Sequence, residues 1–321
     1  MNIVILERAS VGMDVSVDCF NELGNVTVYN TTKYEEISER VKDADIVIAN
    51  KCPLNEATLK DAKNVRLICE FATGFDNVDI EYCKSRNIGV CNVRDYSTEM
   101  VAQHTFAMAL FLAEKINYYD NFVKSGTYEK HNRFSFFDLP FTELAGKTWG
   151  IIGMGNIGRK VANIAKAFGC RVIFYSVTGK STVTDFERVD FDTLLRESDY
   201  LSLHCPLSDI TRDLIDEAAI GKMKKTAYLI NVARGPVVNQ EALYNALVND
   251  KLAGAGLDVL TKEPIAEDNP LGKIKDSTKL IITPHLAWAS VEARERCVKF
   301  NYDNIVAFLE GRELNRVDKE R

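Results

Sequence analysis

The sequence predicts an α/β protein built from two doubly wound parallel sheets, and three observations support this prediction. Short apolar runs alternate with amphipathic stretches in the N-terminal part of the chain, and a second series of the same kind begins at Lys147. Such alternation is typical of parallel strands joined by helices that cover both faces of a sheet. The length of 321 residues accommodates about two domains of ordinary size.

The N-terminal series consists of apolar runs separated by amphipathic stretches. The predicted strands are residues 3–6, 26–29, 46–49, 67–71 and 90–93, and the predicted helices are residues 35–42, 55–61 and 80–85. Short apolar runs bounded by polar residues favour buried strands, and the amphipathic stretches favour helices that cover them. This series by itself predicts a complete α/β unit.

Between the two series lies a long apolar stretch followed by an aromatic one. Residues Thr98–Ala113 are apolar nearly all round and contain neither Gly nor Pro, which predicts a helix between layers or at a subunit interface. Residues 126–140 carry Tyr128, Phe134, Phe136 and Phe137 in an irregular pattern. We expect this second stretch to form an arm or loop that packs on a neighbour.

The second series repeats the strand and helix pattern toward the C-terminal end of the sequence. The predicted strands are residues 148–152, 171–175, 200–204, 227–231, 254–257 and 280–283, and the predicted helices are residues 157–168 and 291–310. The last helix follows the final strand, so we expect it to pack back on the N-terminal unit.

Composition and charge argue against several classes of protein. A net charge of −6 and a pI of about 5.5 disfavour nucleic acid as a partner, because phosphate-binding surfaces are usually basic. We expect no signal peptide and no membrane span, since the first apolar run is short and lacks a basic flank. The eight cysteines show no zinc-type spacing and stand mostly in apolar surroundings. We therefore expect buried free thiols, no metal site and a cytoplasmic location.

The sharpest local motif is the glycine loop Gly153-Met154-Gly155-Asn156-Ile157-Gly158. It follows an apolar strand and opens a helix, which is the setting that a dinucleotide-binding loop requires. Gly153 permits the tight turn, Gly155 lets the backbone approach a pyrophosphate, and Gly158 lets the helix pack close to the strand. The helix N-terminus supplies N–H groups and a positive dipole to the phosphates. The loop therefore predicts a bound dinucleotide.

The residue after the next strand bears on which dinucleotide binds. An acid there would bind the ribose hydroxyls of NAD and repel a 2′-phosphate. Here the strand ends in Ser176, and Thr178 and Lys180 follow. Hydroxyls with a nearby lysine tolerate or bind a 2′-phosphate, although Lys180 could equally be a solvated surface residue. The sequence leaves the cofactor as NAD or NADP.

An arginine, an acid and a histidine each follow a predicted strand of the second series. They are Arg234, Glu263 and His285, and we expect them to converge because doubly wound sheets bind ligands at the carboxyl ends of their strands. Reduction of a 2-oxo acid needs a cation for the carboxylate and a proton donor for the carbonyl oxygen. The Arg234 fork suits a carboxylate, His285 can deliver a proton, and Glu263 can favour the protonated imidazole. The spacing alone leaves a surface ion pair and a structural histidine open.

Several motifs in register resemble the D-isomer-specific 2-hydroxyacid dehydrogenases over essentially the whole chain. They are the glycine loop, residues 232–235 (VARG), residues 256–259 (GLDV) with the later Glu263-Pro264, and residues 283–290 (TPHLAWAS). The resemblance implies that Arg234, Glu263 and His285 are the catalytic residues. It also implies a homodimer of chains with two doubly wound Rossmann-like domains and a cleft between them. The implied domains are a substrate-binding, flavodoxin-like domain (residues 1–98 and 289–321) and a dinucleotide-binding Rossmann domain (residues 99–288).

The same resemblance implies roles for further residues. Residues 72–79 (ATGFDNVD) are similar to a loop whose backbone amides hold the substrate carboxylate, and residues 204–207 (HCPL) are similar to a cofactor loop. The implied substrate-binding residues are Thr73, Gly74, Arg234, His285 and Trp288. The implied cofactor-binding residues are Val101, Gly153, Gly155, Asn156, Ile157, Gly158, Ser176, His204, Pro206, Val232, Ala233, Asp258 and Ala287. His104 and His131 match no catalytic role and are interpreted as structural.

Trp288 and residues 101–105 (VAQHT) resemble the glycerate dehydrogenase and hydroxypyruvate reductase branch of the family. An indole so near His285 in sequence could cap a pocket for a short substrate, although it could also be a dimer contact or a core residue. We therefore expect reduction of hydroxypyruvate or glyoxylate to D-glycerate or glycolate.

Other activities and one non-enzymatic role stay open at this point. A reductase of D-lactate type or of another 2-oxo acid and a D-3-phosphoglycerate dehydrogenase would carry the same motifs. A non-catalytic dinucleotide-binding regulator, similar to the co-repressors that share this fold, would retain much of the catalytic trio. The related formate and phosphite dehydrogenases resemble this chain too, but the formate branch has Gln where this chain has Glu263. The Glu–His pairing favours a hydroxy acid.

Overall fold

The structure, a computed structural model, describes residues 1–319. Its strands in chain order are β1 (Asn2–Ile5), β2 (Asn25–Val28), β3 (Ile46–Ala49), β4 (Leu67–Glu70), β5 (Gly89–Cys91), β6 (Thr148–Ile152), β7 (Arg171–Tyr175), β8 (Glu187–Arg188), β9 (Tyr200–Leu203), β10 (Tyr228–Asn231), β11 (Gly254–Leu257) and β12 (Leu280–Ile282). The α-helices are α1 (Tyr34–Val41), α2 (Glu56–Leu59), α3 (Ile80–Ser85), α4 (Thr98–Ala113), α5 (Ile116–Lys124), α6 (Asn156–Ala167), α7 (Phe191–Glu197), α8 (Glu217–Lys222), α9 (Gln240–Val248) and α10 (Val291–Leu309).

The chain divides into two compact units, each of which has its own sheet. The first unit combines Met1–Ser97 with the chain from Trp288 onward, and the second is Thr98–Ala287. Thr98 thus falls in the second unit and Trp288 in the first, each one residue away from the division that the sequence predicted.

The first unit is built on a parallel sheet with the strand order β2-β1-β3-β4-β5. Strands β3 and β4 are buried along their whole length, which explains the apolar sequence of β3 and of residues 67–69 in β4. Helix α10, from the end of the chain, packs against β4. The sequence predicted this return of the last helix to the N-terminal unit, and the structure confirms it.

The second unit is built on a larger parallel sheet with the strand order β12-β11-β10-β9-β6-β7-β8. Later strands add on both sides of β6, so the direction of winding changes between β6 and β9. Trp149 of β6 stacks on Phe106 of α4, while the neighbouring Gly150 faces Leu194 of α7. Because successive residues of a strand point to opposite faces, α4 and α7 cover opposite faces of this sheet.

Polar side chains cap the N-termini of six of these helices. The side chains of Asn55, Asp79, Asp190, Asp216, Asn239 and Ser290 each accept a backbone N–H of the first helical turn, from α2, α3, α7, α8, α9 and α10 respectively. Such caps satisfy N–H groups that have no partner inside the helix. They fix where these helices start, and hence where the preceding strand-to-helix loops end.

The predicted α/β class with two parallel sheets is confirmed, and helix α4 has the bounds that the sequence predicted. Seven of the eight cysteines are buried and all are free, as expected. The sequence analysis did not assign α5, α7, α8, α9 or β8. No helix within residues 1–319 combines the length and the apolar composition needed to cross a membrane.

Candidate active site

The carboxyl-terminal ends of the strands in the second unit form one edge that carries the candidate site. Ile282, Leu257 and Asn231 are paired in register at the ends of β12, β11 and β10. The row continues through Leu203 of β9 to Ile152 of β6. The loops that carry the histidine, the acid, the arginine and the glycine motif therefore leave the sheet side by side. This edge includes the point where the winding changes direction, at which doubly wound sheets bind ligands.

An acid–histidine pair occupies the β11–β12 end of this edge. The Nδ1 of His285 donates a hydrogen bond of 2.7 Å to Oε2 of Glu263. The other carboxylate oxygen of Glu263 accepts the backbone N–H of Leu260 at 2.9 Å, which fixes the orientation of the carboxylate. Both side chains remain partly exposed. The arrangement leaves the Nε2 atom of the imidazole to exchange a proton with a ligand.

Arg234 lies on the neighbouring loop, after β10. The amide of Asn231 ties this loop together, since its oxygen accepts the Ala233 N–H and its nitrogen donates to the carbonyl of Arg234, both at 3.0 Å. A side chain at Gly235 would come within 2.0 Å of the backbone of Leu260, so the arginine loop packs directly against the loop that carries Glu263. The structure thus places the loops of the predicted trio next to one another.

The backbone at His285 is left-handed, with φ of +57°, which is uncommon for a residue other than glycine. The buried Asp258 holds it in place. Its carboxylate accepts the N–H groups of Leu286 and Ala287 at 2.7 and 2.8 Å, and its carbonyl accepts the N–H of His285 at 2.9 Å. The sequence assigned Asp258 and Ala287 to cofactor binding. In the structure their direct contacts fix the loop of His285.

The glycine loop has the geometry that a pyrophosphate requires. Gly153 has a φ of +94°, and a Cβ there would meet the backbone of His204 and Cys205 at 2.8 Å. At Gly158 a Cβ would lie 2.1 Å from the carbonyl oxygen of Gly153, so that α6 can pack this closely only with glycine. At Gly155 an added Cβ would meet no atom of the described residues within 4 Å. Space therefore lies open over the loop at the position where a phosphate would approach the backbone.

His204 borders the glycine loop on the β9 side. Its Nε2 lies 3.0 Å from the Ser202 hydroxyl, which also accepts the indole N–H of Trp149 at 2.9 Å. The other ring nitrogen, Nδ1, is a buried atom with no partner among residues 1–319. Burial lowers the pKa of His204 from 6.5 to about 3. The ring is therefore neutral near physiological pH, in agreement with an architectural role rather than an acid–base role.

Arg188 of strand β8 lies beside the loop after β7, and the sequence analysis missed it. Ser176 is buried, and its hydroxyl accepts the N–H of Ser181 at 3.3 Å. Strand β8 pairs with β7 and brings Arg188 opposite Phe174, and a guanidinium nitrogen of Arg188 lies 3.5 Å from the position of a Cβ on Gly179. Lys180 is exposed on the same loop. Two positively charged residues, Lys180 and Arg188, thus lie on or beside the loop of Ser176. Only the short edge strand β8 could have indicated Arg188.

The predicted substrate loop belongs to the first unit. The Thr73 hydroxyl donates to the carbonyl of Val93 at 2.7 Å, and the Asn92 amide donates to the carbonyl of Thr73, also at 2.7 Å, which fixes the backbone that leads to Gly74. Trp288 lies in the same unit and packs edge-on against Tyr96, with ring centroids 6.1 Å apart.

The remaining predicted cofactor residues lie on four elements of the second unit. Asn156 and Ile157 open helix α6, and Val101 is buried in the first turn of α4. Val232 and Ala233 are almost wholly buried in the loop after β10. Pro206 follows β9, and its carbonyl accepts the hydroxyl of Thr211 at 2.8 Å. Except for Val101, these residues lie in the strand-end loops described above.

Comparison with known sequences points to one family. Residues 106–287 match the family model described as D-isomer specific 2-hydroxyacid dehydrogenase, NAD binding domain. A hydroxypyruvate reductase of Blautia hydrogenotrophica is 36% identical over 326 residues, which cover 99% of this chain and 100% of that protein. A glycerate dehydrogenase of Methylorubrum extorquens is 38% identical over 317 residues, which cover 98% of each.

Solved structures agree with this placement. An acyclic imino acid reductase in complex with NADPH and D-Arg is 30% identical and superposes with a TM-score of 0.88, covering 99% of this chain and 100% of that chain. A D-lactate dehydrogenase from Aquifex aeolicus, complexed with NAD and lactic acid, is also 30% identical, with a TM-score of 0.86 and complete coverage of both chains.

Proposed function

This chain belongs to the D-isomer-specific 2-hydroxyacid dehydrogenase family, and on that premise we propose that it reduces hydroxypyruvate or glyoxylate to D-glycerate or glycolate. It is a nicotinamide-dependent oxidoreductase that acts on the CH–OH group of a 2-hydroxy acid. The names of the two relatives that match nearly the whole chain support the choice of hydroxypyruvate and D-glycerate as the substrate pair. Further relatives, 38% identical or less over most of the chain, are named glyoxylate reductases.

The observation that carries this proposal is the His285–Glu263 hydrogen bond of 2.7 Å beside the loop of Arg234. A 2-oxo acid presents a carboxylate next to the carbonyl that is reduced. The guanidinium of Arg234 binds the carboxylate and orients the carbonyl. His285 delivers a proton from Nε2 to the carbonyl oxygen, and Glu263 stabilises the charged imidazole through Nδ1.

The residues at the strand ends fit a nicotinamide dinucleotide, which when bound supplies the hydride for reduction. The glycine loop and the N-terminus of α6 would hold the pyrophosphate, with open space above Gly155. His204 would border it with its buried Nδ1 atom. Val101, Pro206, Val232, Ala233, Asp258 and Ala287 complete the proposed lining.

We propose further that NADPH is used at least as well as NADH. No acid occupies the position after β7, where Ser176 stands, and an acid is what would repel a 2′-phosphate. Lys180 and Arg188 lie on or beside the same loop and supply positive charge for that phosphate. The two solved structures named above were determined with NADPH and with NAD respectively, so family membership alone does not decide between the two cofactors.

The substrate side of the site is proposed to come from the first unit. The backbone of Thr73 and Gly74, anchored by Asn92 and Val93, is the proposed contact of this unit with the substrate carboxylate. The indole of Trp288 would limit the length of the substrate side chain, which agrees with a preference for two- and three-carbon oxo acids.

We also propose a cytoplasmic homodimer. Phe134 and Phe137 of the aromatic arm (residues 126–140) have 93% and 79% of their surface exposed. Exposed aromatic side chains of this kind favour burial in a protein interface, and a second copy of this chain is the proposed partner. Free buried cysteines are typical of proteins from a reducing compartment.

Steady-state rates with a panel of 2-oxo acids, each with NADH and with NADPH, test the function directly. The panel contains hydroxypyruvate, glyoxylate, pyruvate, 3-phosphohydroxypyruvate and a branched-chain 2-oxo acid. The highest kcat/KM is expected with hydroxypyruvate or glyoxylate, and the His285→Ala protein should retain cofactor binding but lose most of its turnover. A wild-type protein that binds cofactor and is inert toward the whole panel would contradict the proposal.

A further inference from the structure

A partly buried polar cluster links helix α4 to the loop of His285. The Thr283 hydroxyl donates to Oδ1 of Asp258 at 2.5 Å, and Nε2 of His104 lies 3.0 Å from the same hydroxyl. The His104 ring is also within 3.5 Å of Oδ1 of Asp258. The sequence analysis interpreted His104 only as structural, and 179 residues separate it from Thr283.

The donor and acceptor in each of these hydrogen bonds follow from which groups carry a proton that they can donate. An ionised carboxylate only accepts, so the single hydroxyl proton of Thr283 goes to Asp258. The hydroxyl oxygen is then the acceptor for His104, whose Nε2 must carry a proton. His104, Thr283 and Asp258 therefore form a chain in which each donor points toward the carboxylate.

That carboxylate needs these donors because it is 1% exposed. A buried charge is tolerated only when it is well hydrogen-bonded. Its other partners are the N–H groups of Leu286 and Ala287, directly after His285. Any rotation of the Asp258 carboxylate would therefore move the backbone that carries the left-handed His285. A shift of about 1 Å in a catalytic group can cost about 100-fold in rate.

We propose that His104 and Thr283 are positioning residues for His285. They lock the Asp258 carboxylate, and this carboxylate holds the strained loop in the geometry that aims the imidazole at Glu263. This inference rests on the proposed function, because it requires His285 to be the proton donor. It adds two residues that do not touch the reacting atoms and act through Asp258.

Paired variants separate positioning from simple loss of packing. Thr283→Val keeps the shape of threonine without its hydroxyl, and Thr283→Ser keeps the hydroxyl. His104→Leu removes the ring donor, and His104→Gln retains an N–H donor. Thr105→Val is the matched control, because the Thr105 hydroxyl lies on α4 beside His104 but donates only to the carbonyl of Val101 in its own helix, at 2.8 Å.

The measured quantities are kcat and KM for hydroxypyruvate, the dissociation constant for NADPH from fluorescence quenching, and the Tm. Thr283→Val and His104→Leu should lower kcat by roughly 10- to 100-fold, while KM and the cofactor dissociation constant change far less. Thr283→Ser and His104→Gln should recover most of kcat. The double variant Thr283→Val/His104→Leu should be little worse than the poorer single one, because both act on one carboxylate.

A kcat equal to that of the wild type in both Thr283→Val and His104→Leu overturns the inference. So does a loss of kcat that Thr105→Val shares or that the conservative variants do not reverse. If Thr283→Val does not fold, the comparison of His104→Leu with His104→Gln decides alone, and equal kcat values in the two overturn the inference. If the wild type is active and the variants keep its kcat, this inference alone is contradicted. A wild type that is inert toward the oxo acid panel contradicts the proposed function and this inference with it.

Discussion

The imidazole of His285 donates from Nδ1 to the Glu263 carboxylate at 2.7 Å, and that carboxylate is anchored in turn by the N–H of Leu260. The two side chains come from loops after adjacent parallel strands, so their separation is set by the sheet and not by local sequence. The pair fixes which ring nitrogen faces the protein and which is left for a ligand. The first prediction tests this division directly.

Replacing Glu263 by Gln should slow reduction. The amide can still orient the ring but carries no charge to stabilise the protonated imidazole. We expect kcat for hydroxypyruvate, measured in steady-state assays, to fall. Removing the acid–base group itself, in His285→Ala, should cost about 10²- to 10⁴-fold in kcat. A Glu263→Gln protein with the kcat of the wild type would remove Glu263 from the proposed mechanism.

Arg234→Ala should weaken oxo acid binding and also slow the reaction, because the guanidinium fork both holds the carboxylate and orients the carbonyl. A hydrogen bond to a charged group contributes about 1.5 to 3 kcal/mol, so kcat/KM should fall by roughly 10- to 150-fold. Arg234→Lys keeps the charge without the planar fork and should recover only part of this loss. An unchanged kcat/KM in Arg234→Ala would place the substrate carboxylate elsewhere.

The loop after β7 predicts a change of cofactor preference. Ser176→Asp should raise the ratio of kcat/KM for NADH over NADPH, since the new carboxylate repels a 2′-phosphate and can bind ribose hydroxyls. Arg188→Ala should lower kcat/KM for NADPH by about tenfold, which corresponds to about 1.4 kcal/mol, and leave that for NADH nearly unchanged. Arg196→Ala, which changes an exposed arginine of α7, is the control. If neither Ser176→Asp nor Arg188→Ala alters the ratio, the 2′ position is recognised by other residues.

The aromatic arm predicts that charge will dissociate the dimer. In Phe134→Glu/Phe137→Glu the two most exposed aromatic residues of the arm become charged, and burial of those charges in an interface is costly. Sedimentation velocity should show a dimer for the wild type and a shift toward monomer for this variant. Val248→Glu changes an exposed apolar residue at the end of α9, outside the arm, and should remain dimeric. Equal sedimentation coefficients for Phe134→Glu/Phe137→Glu and the wild type would exclude the arm from the interface.

The buried carboxyl group of Glu70 should make the stability of the protein depend on pH. Its side chain is fully buried at the end of β4, one carboxyl oxygen accepts the Asn77 amide at 3.1 Å, and the other has no partner within residues 1–319. Burial raises the pKa of Glu70 well above its ordinary value. At pH values above the ordinary pKa of a glutamate, the unfolded chain has released this proton, whereas the folded protein still binds it. The free energy of unfolding must therefore fall as the pH rises from the ordinary pKa through the raised pKa of Glu70 in the folded protein.

Glu70→Gln should remove this contribution, because the amide has a similar shape and does not titrate. The Tm of the wild type should drop more between pH 5 and pH 8 than the Tm of Glu70→Gln. Glu39→Gln, at an exposed position of α1, should follow the wild type over the same range. Parallel Tm curves for the wild type and Glu70→Gln would show that the buried carboxyl does not govern stability in this range.

The pattern of apolar residues was sufficient to predict the α/β class, the two sheets and most of their strands, because apolar runs of strand length indicate burial on both faces of a parallel sheet. It also located the glycine loop, since that turn requires particular residues at fixed spacing. Helix α4 was predicted with its observed bounds because it is long and bounded by polar residues. The short helices α7, α8 and α9 were not assigned, since helices of this length owe their stability to packing rather than to their own sequence.

Contacts between residues that are distant in the sequence became known from the fold. The sequence indicated that Arg234, Glu263 and His285 follow strands, but strand order makes their loops neighbours. Arg188 reaches the loop of Ser176 only because β8 pairs with β7, and His104 reaches Thr283 only because α4 packs across β11 and β12. The pattern of apolar and polar residues along the chain indicates which residues are buried. Contacts between distant residues depend on how whole helices and strands pack, and no local pattern specifies that packing.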